Sequence, residues 1–253
     1  MKIKLSKYFR DVCCIDFEFR EVGSNPPEVH CMVFREALSG RLSRYWLSGH
    51  QSSPCPIPLD PDCLYVAYYA TAELKCHLSL GWELPTNVMD LHVEFRCLTN
   101  GLPLPAGKGL LGALTYFGLT GIAFTEKKTM RDLAIRGLPF SDSEVQALTD
   151  YCQSDVDALV ALLPFIVDNL NIQQSLLRGR YMKAVAMMEH YGIPIDVKIL
   201  DLLQKNWTSL KELLIQQVDQ QYGVFEGSAF KSDLFTNYLE ERKFLGLGFP
   251  QGN

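Results

Sequence analysis

The stretch Cys13-Cys14-Ile15-Asp16-Phe17-Glu18-Phe19-Arg20 constrains the chain more than any other. Its alternation predicts a strand within residues 11–20, with Ile15, Phe17 and Phe19 on one face and Asp16 and Glu18 on the other. Two carboxylates on one strand face stand only about 7 Å apart. They repel, and one tends to keep its proton. A divalent cation between them removes the conflict. Solvation on an outward face would also remove it, so the pair needs support from elsewhere in the chain.

The order of the following segments predicts how that strand is embedded. Gly23, Asn25, Pro26 and Pro27 make a turn, residues 29–34 a second strand, and residues 43–47 a third. Short turns between three strands give an antiparallel meander. The continuous apolar run 64–69 reads as a strand buried on both faces. A helix over residues 71–80 ends at Gly81, and a fifth short strand over residues 87–91 leads into a helix through Cys97. Strand, crossover helix and strand imply a parallel pair, so the sheet is mixed and the class is α/β.

Further helices are expected over residues 108–117, 127–135 and 142–163. In the last, Val145, Leu148, Tyr151, Cys152, Asp155, Leu159 and Leu162 share a face. Asp155 therefore looks inward, and an inward carboxylate wants a partner. After Pro164 the pattern changes to long amphipathic helices over residues 173–191 and 196–222, with Gly192 and Pro194 between them and Asp196 as an N-cap. A final helix is expected from residue 232 to 243.

Bulk properties set the remaining bounds. The chain has 253 residues and a net charge of −5, so any nucleic-acid contact must come from local basic patches. No run approaches the ~18 apolar residues of a membrane span. The basic N-terminus lacks the apolar core of a signal peptide, and the expectation is a soluble, cytoplasmic protein. The eight cysteines form no C-x-x-C pair and read as buried reduced thiols. The histidines show no ligand spacing, so metal chemistry here would use oxygen ligands suited to magnesium or manganese.

Asp16-x-Glu18 near the start and Tyr151-Cys-Gln-Ser-Asp155 late in the chain resemble the first and third motifs of the DEDD 3′–5′ exonucleases, tyrosine subclass. Tyr151 and Asp155 are helix-face neighbours at i and i+4. The resemblance covers residues 11 to about 165. It implies a ribonuclease-H-like fold: a mixed five-stranded sheet flanked by helices, followed by a C-terminal helical segment. A weaker likeness runs through Met187-Met188-Glu189-His190-Tyr191-Gly192-Ile193-Pro194-Ile195-Asp196, which is similar to the segment after the proofreading domain of family A DNA polymerases. The domains expected are therefore an exonuclease domain over 1–170 and a helical segment over 171–253 without a polymerase palm.

The resemblance implies two divalent ions, Mg2+ or Mn2+, on Asp16, Glu18, Asp155 and a fourth carboxylate, with Tyr151 orienting the attacking water. The family's second motif pairs Asn with Asp four residues on. Here Tyr69 and Glu73 stand in those places. Glu73 is the favoured fourth ligand and Asp90 the other candidate, its ordinary reading being a helix N-cap. Lys127, Lys128, Arg131 and Arg136 are candidates to hold strand phosphates. Tyr68 and Tyr69 could stack on bases, but packing within the fourth strand is their expected role. The activity implied is removal of nucleotides from single-stranded DNA 3′ ends, with a polymerase module as partner in cis or trans and no membrane. The alternatives are a free-standing nuclease on RNA or short oligonucleotides, or a catalytically weak single-strand-binding scaffold.

Overall fold

The computed structural model of the protein describes residues 2–21, 23, 26–48, 54–119 and 124–242, with backbone alone at 2–3 and 124–127. A short helix α1 (Lys2–Leu5) precedes the meander of β1 (Asp11–Arg20), β2 (Glu28–Glu36) and β3 (Leu42–Trp46). Then come β4 (Cys63–Ala67), α2 (Ala70–Ser79), β5 (Asn87–Asp90) and α3 (Leu91–Leu98). Helices α4 (Leu110–Tyr116), α5 (Phe124–Arg136), α6 (Asp142–Val167) and α7 (Ile172–Tyr191) complete the first of two compact units, Met1–Ile193.

The sheet order is β3-β2-β1-β4-β5. The first three strands pair antiparallel, whereas β4 pairs parallel to both β1 and β5. This is the mixed sheet expected. Period-two alternation sorts β1 between two cores. Val12 and Cys14 pack with Cys152, Val156 and Leu159 of α6. Cys13, Ile15 and Phe17 pack with Leu74 of α2 and Ala186 of α7. The sheet is thus sandwiched by helices, which explains why β4 is apolar throughout.

Several boundaries differ from expectation. β4 stops at Ala67, and Tyr69 takes a left-handed conformation as the N-cap of α2. The reason is Asp90 at the end of the neighbouring strand, whose two carboxylate oxygens accept the N–H groups of Tyr69 (3.0 Å) and Ala70 (2.8 Å) and turn the chain out of the sheet. α6 runs through Pro164 to Val167, because Ile166 and Val167 are fully buried and hold the last turn against the core.

The helix that follows residue 170 packs on the sheet. α7 lies against β5 so closely that a Cβ at Gly179 would stand 1.8 Å from the Val88 carbonyl oxygen. Arg178 donates two hydrogen bonds to the buried Glu94 carboxylate of α3. α7 therefore belongs with the sheet.

The second unit, Pro194–Asn253, contains α8 (Val197–Tyr222), a small hairpin of β6 (Phe225–Glu226) and β7 (Ala229–Phe230), and α9 (Ser232–Glu241). Asp196 caps α8 by accepting the Ile199 N–H (3.1 Å), as its sequence position predicts. The hairpin was not expected. Gly227, at φ +61°, supplies its turn. Among the described residues no helix is long and apolar enough to cross a membrane.

Candidate active site

The parallel strands β1, β4 and β5 end at one edge of the sheet, where open α/β folds place their ligands. The β1–β4 ladder stops at Cys14 and Val66, so the rest of β1 has no strand partner on that side. Glu73, one turn into α2, fills part of the gap. Its carboxylate accepts a hydrogen bond from the backbone N–H of Phe17. Asp16 and Glu18 flank that residue on β1. From the other side α6 brings Tyr151 and Asp155, and the Cys152 thiol donates to the Asp16 carbonyl (3.2 Å), fixing helix against strand.

These side chains feel one another. Burial, then the charges of Asp16, Cys31, Asp155 and Glu73, push the Glu18 carboxyl well above the usual carboxylate range. Burial followed by Asp16 does the same to Glu73. Burial, Asp155, Glu18 and Asp16 raise the Tyr151 phenol, which therefore keeps its proton and donates to Asp155. The structure thus brings together Asp16, Glu18, Glu73, Asp155 and Tyr151.

Asp90 is elsewhere engaged. It accepts the N–H groups of Tyr69, Ala70, His92 and Val93, joining the starts of α2 and α3. It is an N-cap for α3, the ordinary reading of its position.

The donor set suits a hard divalent cation, because every candidate ligand is a carboxylate oxygen. Glu73 Oε2 is buried and makes no hydrogen bond among the described residues. Crowded acids with raised affinity for protons are what a cation would relieve. Among the described residues no three His, Cys, Asp or Glu side chains close into a ready-made cage.

A cleft of about 740 Å³ opens beside Glu18, within the usual ligand range. Arg131 of α5 lines it, as do Tyr69, Lys75 and Glu189. Lys128 is exposed on the same helix. The side chain of Lys127 lies outside the described residues. Arg136 is committed to structure: it pairs with Glu144 (2.7 Å), donates to the Pro139 carbonyl (2.9 Å) and stacks over Phe140. Sequence reasoning missed Lys75 and Glu189. Lys75 lies two residues beyond Glu73, but its ion pairs with Glu21 (2.6 Å) and Glu189 (3.4 Å) join segments 54 and 114 residues distant, and no local pattern announces them.

The fold is the ribonuclease-H-like fold of known nucleases. No family model and no curated protein sequence matches the chain. Among solved structures, Brucella melitensis NrnC with bound Mg2+ has a TM-score of 0.53 at 16% sequence identity, covering 74% of this chain and 89% of that one. Trypanosoma brucei RNase D in complex with RNA U12 has a TM-score of 0.51 at 14% identity, covering 78% and 70%. A structure described as the apo form of the nuclease reaches 0.56 at 15% identity, covering 75% and 89%. At these identities the likeness is one of fold.

Proposed function

We propose that this chain is a metal-dependent, cytoplasmic 3′–5′ exonuclease that removes nucleotides from single-stranded DNA 3′ ends, in a proofreading role beside a polymerase module. The observation that carries the nuclease reading is the meeting of Asp16, Glu18, Glu73 and Asp155 with Tyr151 at the open end of β1. Asp16, Glu18, Glu73 and Asp155 would hold two divalent ions. When bound, such ions acidify water and neutralise charge on the phosphodiester being hydrolysed.

The protein's own groups do the rest. Tyr151 retains its proton and offers a hydroxyl from the same helix face as Asp155, a position from which to orient a water. Arg131 on the cleft wall and the exposed Lys128 attract strand phosphates in a chain whose net charge is otherwise −5. Cys152 keeps β1 and α6 in register, so the carboxylates stay convergent.

The link to DNA and to a polymerase is supported by the likeness of residues 187–196 to the segment after family A proofreading domains, and by a second compact unit starting at Pro194. A second reading, cleavage of RNA, is favoured by one observation: an RNase D of the same fold was solved with RNA U12.

The test uses 3′-labelled and 5′-labelled DNA and RNA strands of one sequence, with magnesium, manganese or a chelator. Expected is metal-dependent loss of the 3′ label first, faster on DNA, abolished by Asp16→Ala and slowed less by Tyr151→Phe. Faster RNA decay selects the second reading. Cleavage indifferent to Asp16→Ala overturns the site. Binding without cleavage in either metal leaves a scaffold.

A further inference from the structure

We propose that Tyr69 is the platform on which the 3′-terminal base of the substrate stacks, so that strand binding depends on a base being present at the last nucleotide. The inference rests on the nuclease reading and names the group that reads its substrate's end.

The backbone makes the first part of the case. Tyr69, at φ 71° and ψ 54°, is the one non-glycine residue with positive φ among the described residues. A bulky L-residue rarely adopts this conformation, and strain of this kind collects at functional sites. Glycine would adopt it freely. The strain is imposed from outside: Tyr69 makes no side-chain cap, and Asp90 holds the N–H groups of residues 69 and 70. What the fold gains is the position of the ring.

That ring does not pack into the core, as a strand residue would. It is 56% exposed. The His92 ring supports it at 5.2 Å and 56°. It lines the same cleft as Glu18, Phe19, Arg131 and Ile135. Tyr69 stands at the entry to α2, the helix that carries Glu73 in its first turn. An exposed π-face, a cation and a carboxylate lining one cleft match a strand end: the ring meets the base, Arg131 a phosphate, and the acids the scissile bond. Stacking on an aromatic ring tolerates any base, as removal of successive nucleotides requires.

The test is a cycle of ring deletion against base deletion. Two fluorescent single-stranded oligodeoxynucleotides are compared, one ending in a normal nucleotide and one in an abasic nucleotide. Binding is measured by anisotropy in calcium for wild type, Tyr69→Gly and Tyr69→Trp. Wild type is expected to prefer the base-bearing end by about tenfold, the scale of one stack. Tyr69→Gly should bind the two ends within twofold, and Tyr69→Trp should keep the preference. Tyr69→Gly should also melt no lower than wild type, since glycine relieves the strain; a structural role for the ring would predict the reverse. In magnesium, Tyr69→Gly should raise KM more than it lowers kcat. A preference that survives Tyr69→Gly overturns the proposal while leaving the nuclease reading intact. Equal binding of both ends by wild type does the same. Wild type that shows the preference but cleaves neither strand in magnesium or manganese overturns the nuclease reading and leaves Tyr69 as a base contact.

Discussion

The carboxylate of Glu73 accepts the backbone N–H of Phe17, so a helix side chain finishes the strand edge that β4 abandons after Val66. One group thereby serves fold and chemistry together. Its bonded oxygen anchors α2 to β1. Its other oxygen, Oε2, is buried and makes no hydrogen bond among the described residues.

Those two duties separate by mutation. Glu73→Gln keeps an acceptor for the Phe17 N–H and removes a charge from a crowd of four acids. In chelator the variant should melt higher than wild type, because the cost of burying a carboxylate, and then its repulsion by Asp16, is relieved. With magnesium its cleavage rate should fall about 10²- to 10³-fold, the scale of losing one electrostatic contact at a reacting phosphate. Paired melting curves with and without magnesium check this: the metal should raise the wild-type midpoint more than that of the variant.

Asp90 should behave as a structural residue. It satisfies four backbone donors at the starts of α2 and α3. Asp90→Ala leaves several of them buried and unpaired, at about 1–3 kcal/mol each if nothing replaces the carboxylate. The expected result is a loss of at least about 3 kcal/mol in urea unfolding, with the per-molecule activity of the folded fraction reduced far less than by Asp16→Ala. A stable Asp90→Ala protein with no activity would return Asp90 to the list of ligands.

How far the sequence reveals this structure depends on the range of the forces involved. The central strand was legible because Cys13, Ile15 and Phe17 alternate with Cys14, Asp16 and Glu18, and the sheet's two cores follow that alternation. The strand and helix order was legible because turn residues punctuate it. The inward Asp155 was legible through helical period, whereas Glu73 was a candidate only through the second motif that the family resemblance implies. The end of β4 was not. Tyr68 and Tyr69 extend an apolar run, and only Asp90, 21 residues away, turns Tyr69 out of the sheet. The placement of α7 was equally hidden. It rests on the close approach of Gly179 to Val88 and on the Arg178–Glu94 pair, contacts across more than 80 residues. The commitment of Arg136 to Glu144 and Phe140 was invisible to a count of basic residues.

The packing of α7 gives a sharp test. Any Cβ at position 179 meets the backbone of β5, the Val88 carbonyl oxygen at 1.8 Å and its carbon at 2.7 Å. Backbone on both sides leaves no side chain to swing away. Gly179→Ala should cost about 3 kcal/mol or more, the upper range for overpacking. Because α7 also carries Glu189 to the cleft and to Lys75, the variant should lose strand binding along with stability. Chemical denaturation and anisotropy on the same preparation check both.

The acid side of the stability profile should carry the signature of His77. Its ring is enclosed by Phe17 (5.8 Å), Tyr65 (5.3 Å) and Trp82 (5.3 Å). Nδ1 donates to the Glu83 carbonyl at 3.0 Å, which suits the neutral tautomer. Burial lowers its pKa from 6.5 to about 4. In the unfolded chain the imidazole takes a proton near pH 6.5, whereas in the folded protein it stays neutral down to about pH 4. Between those values the unfolded state binds more protons, so stability falls as pH falls. From pH 7.5 to pH 4.5 this one group should remove about 2–3 kcal/mol. Burial also raises the Glu18 and Glu73 carboxyls, so the comparison must be differential. His77→Phe keeps the aromatic packing and has no proton to gain. Urea unfolding of both proteins across that range should show the variant losing less stability on acidification, by about the same 2–3 kcal/mol. Parallel slopes would mean that His77 already shares its protonation between the folded and unfolded states, and that its aromatic enclosure does not exclude the charge.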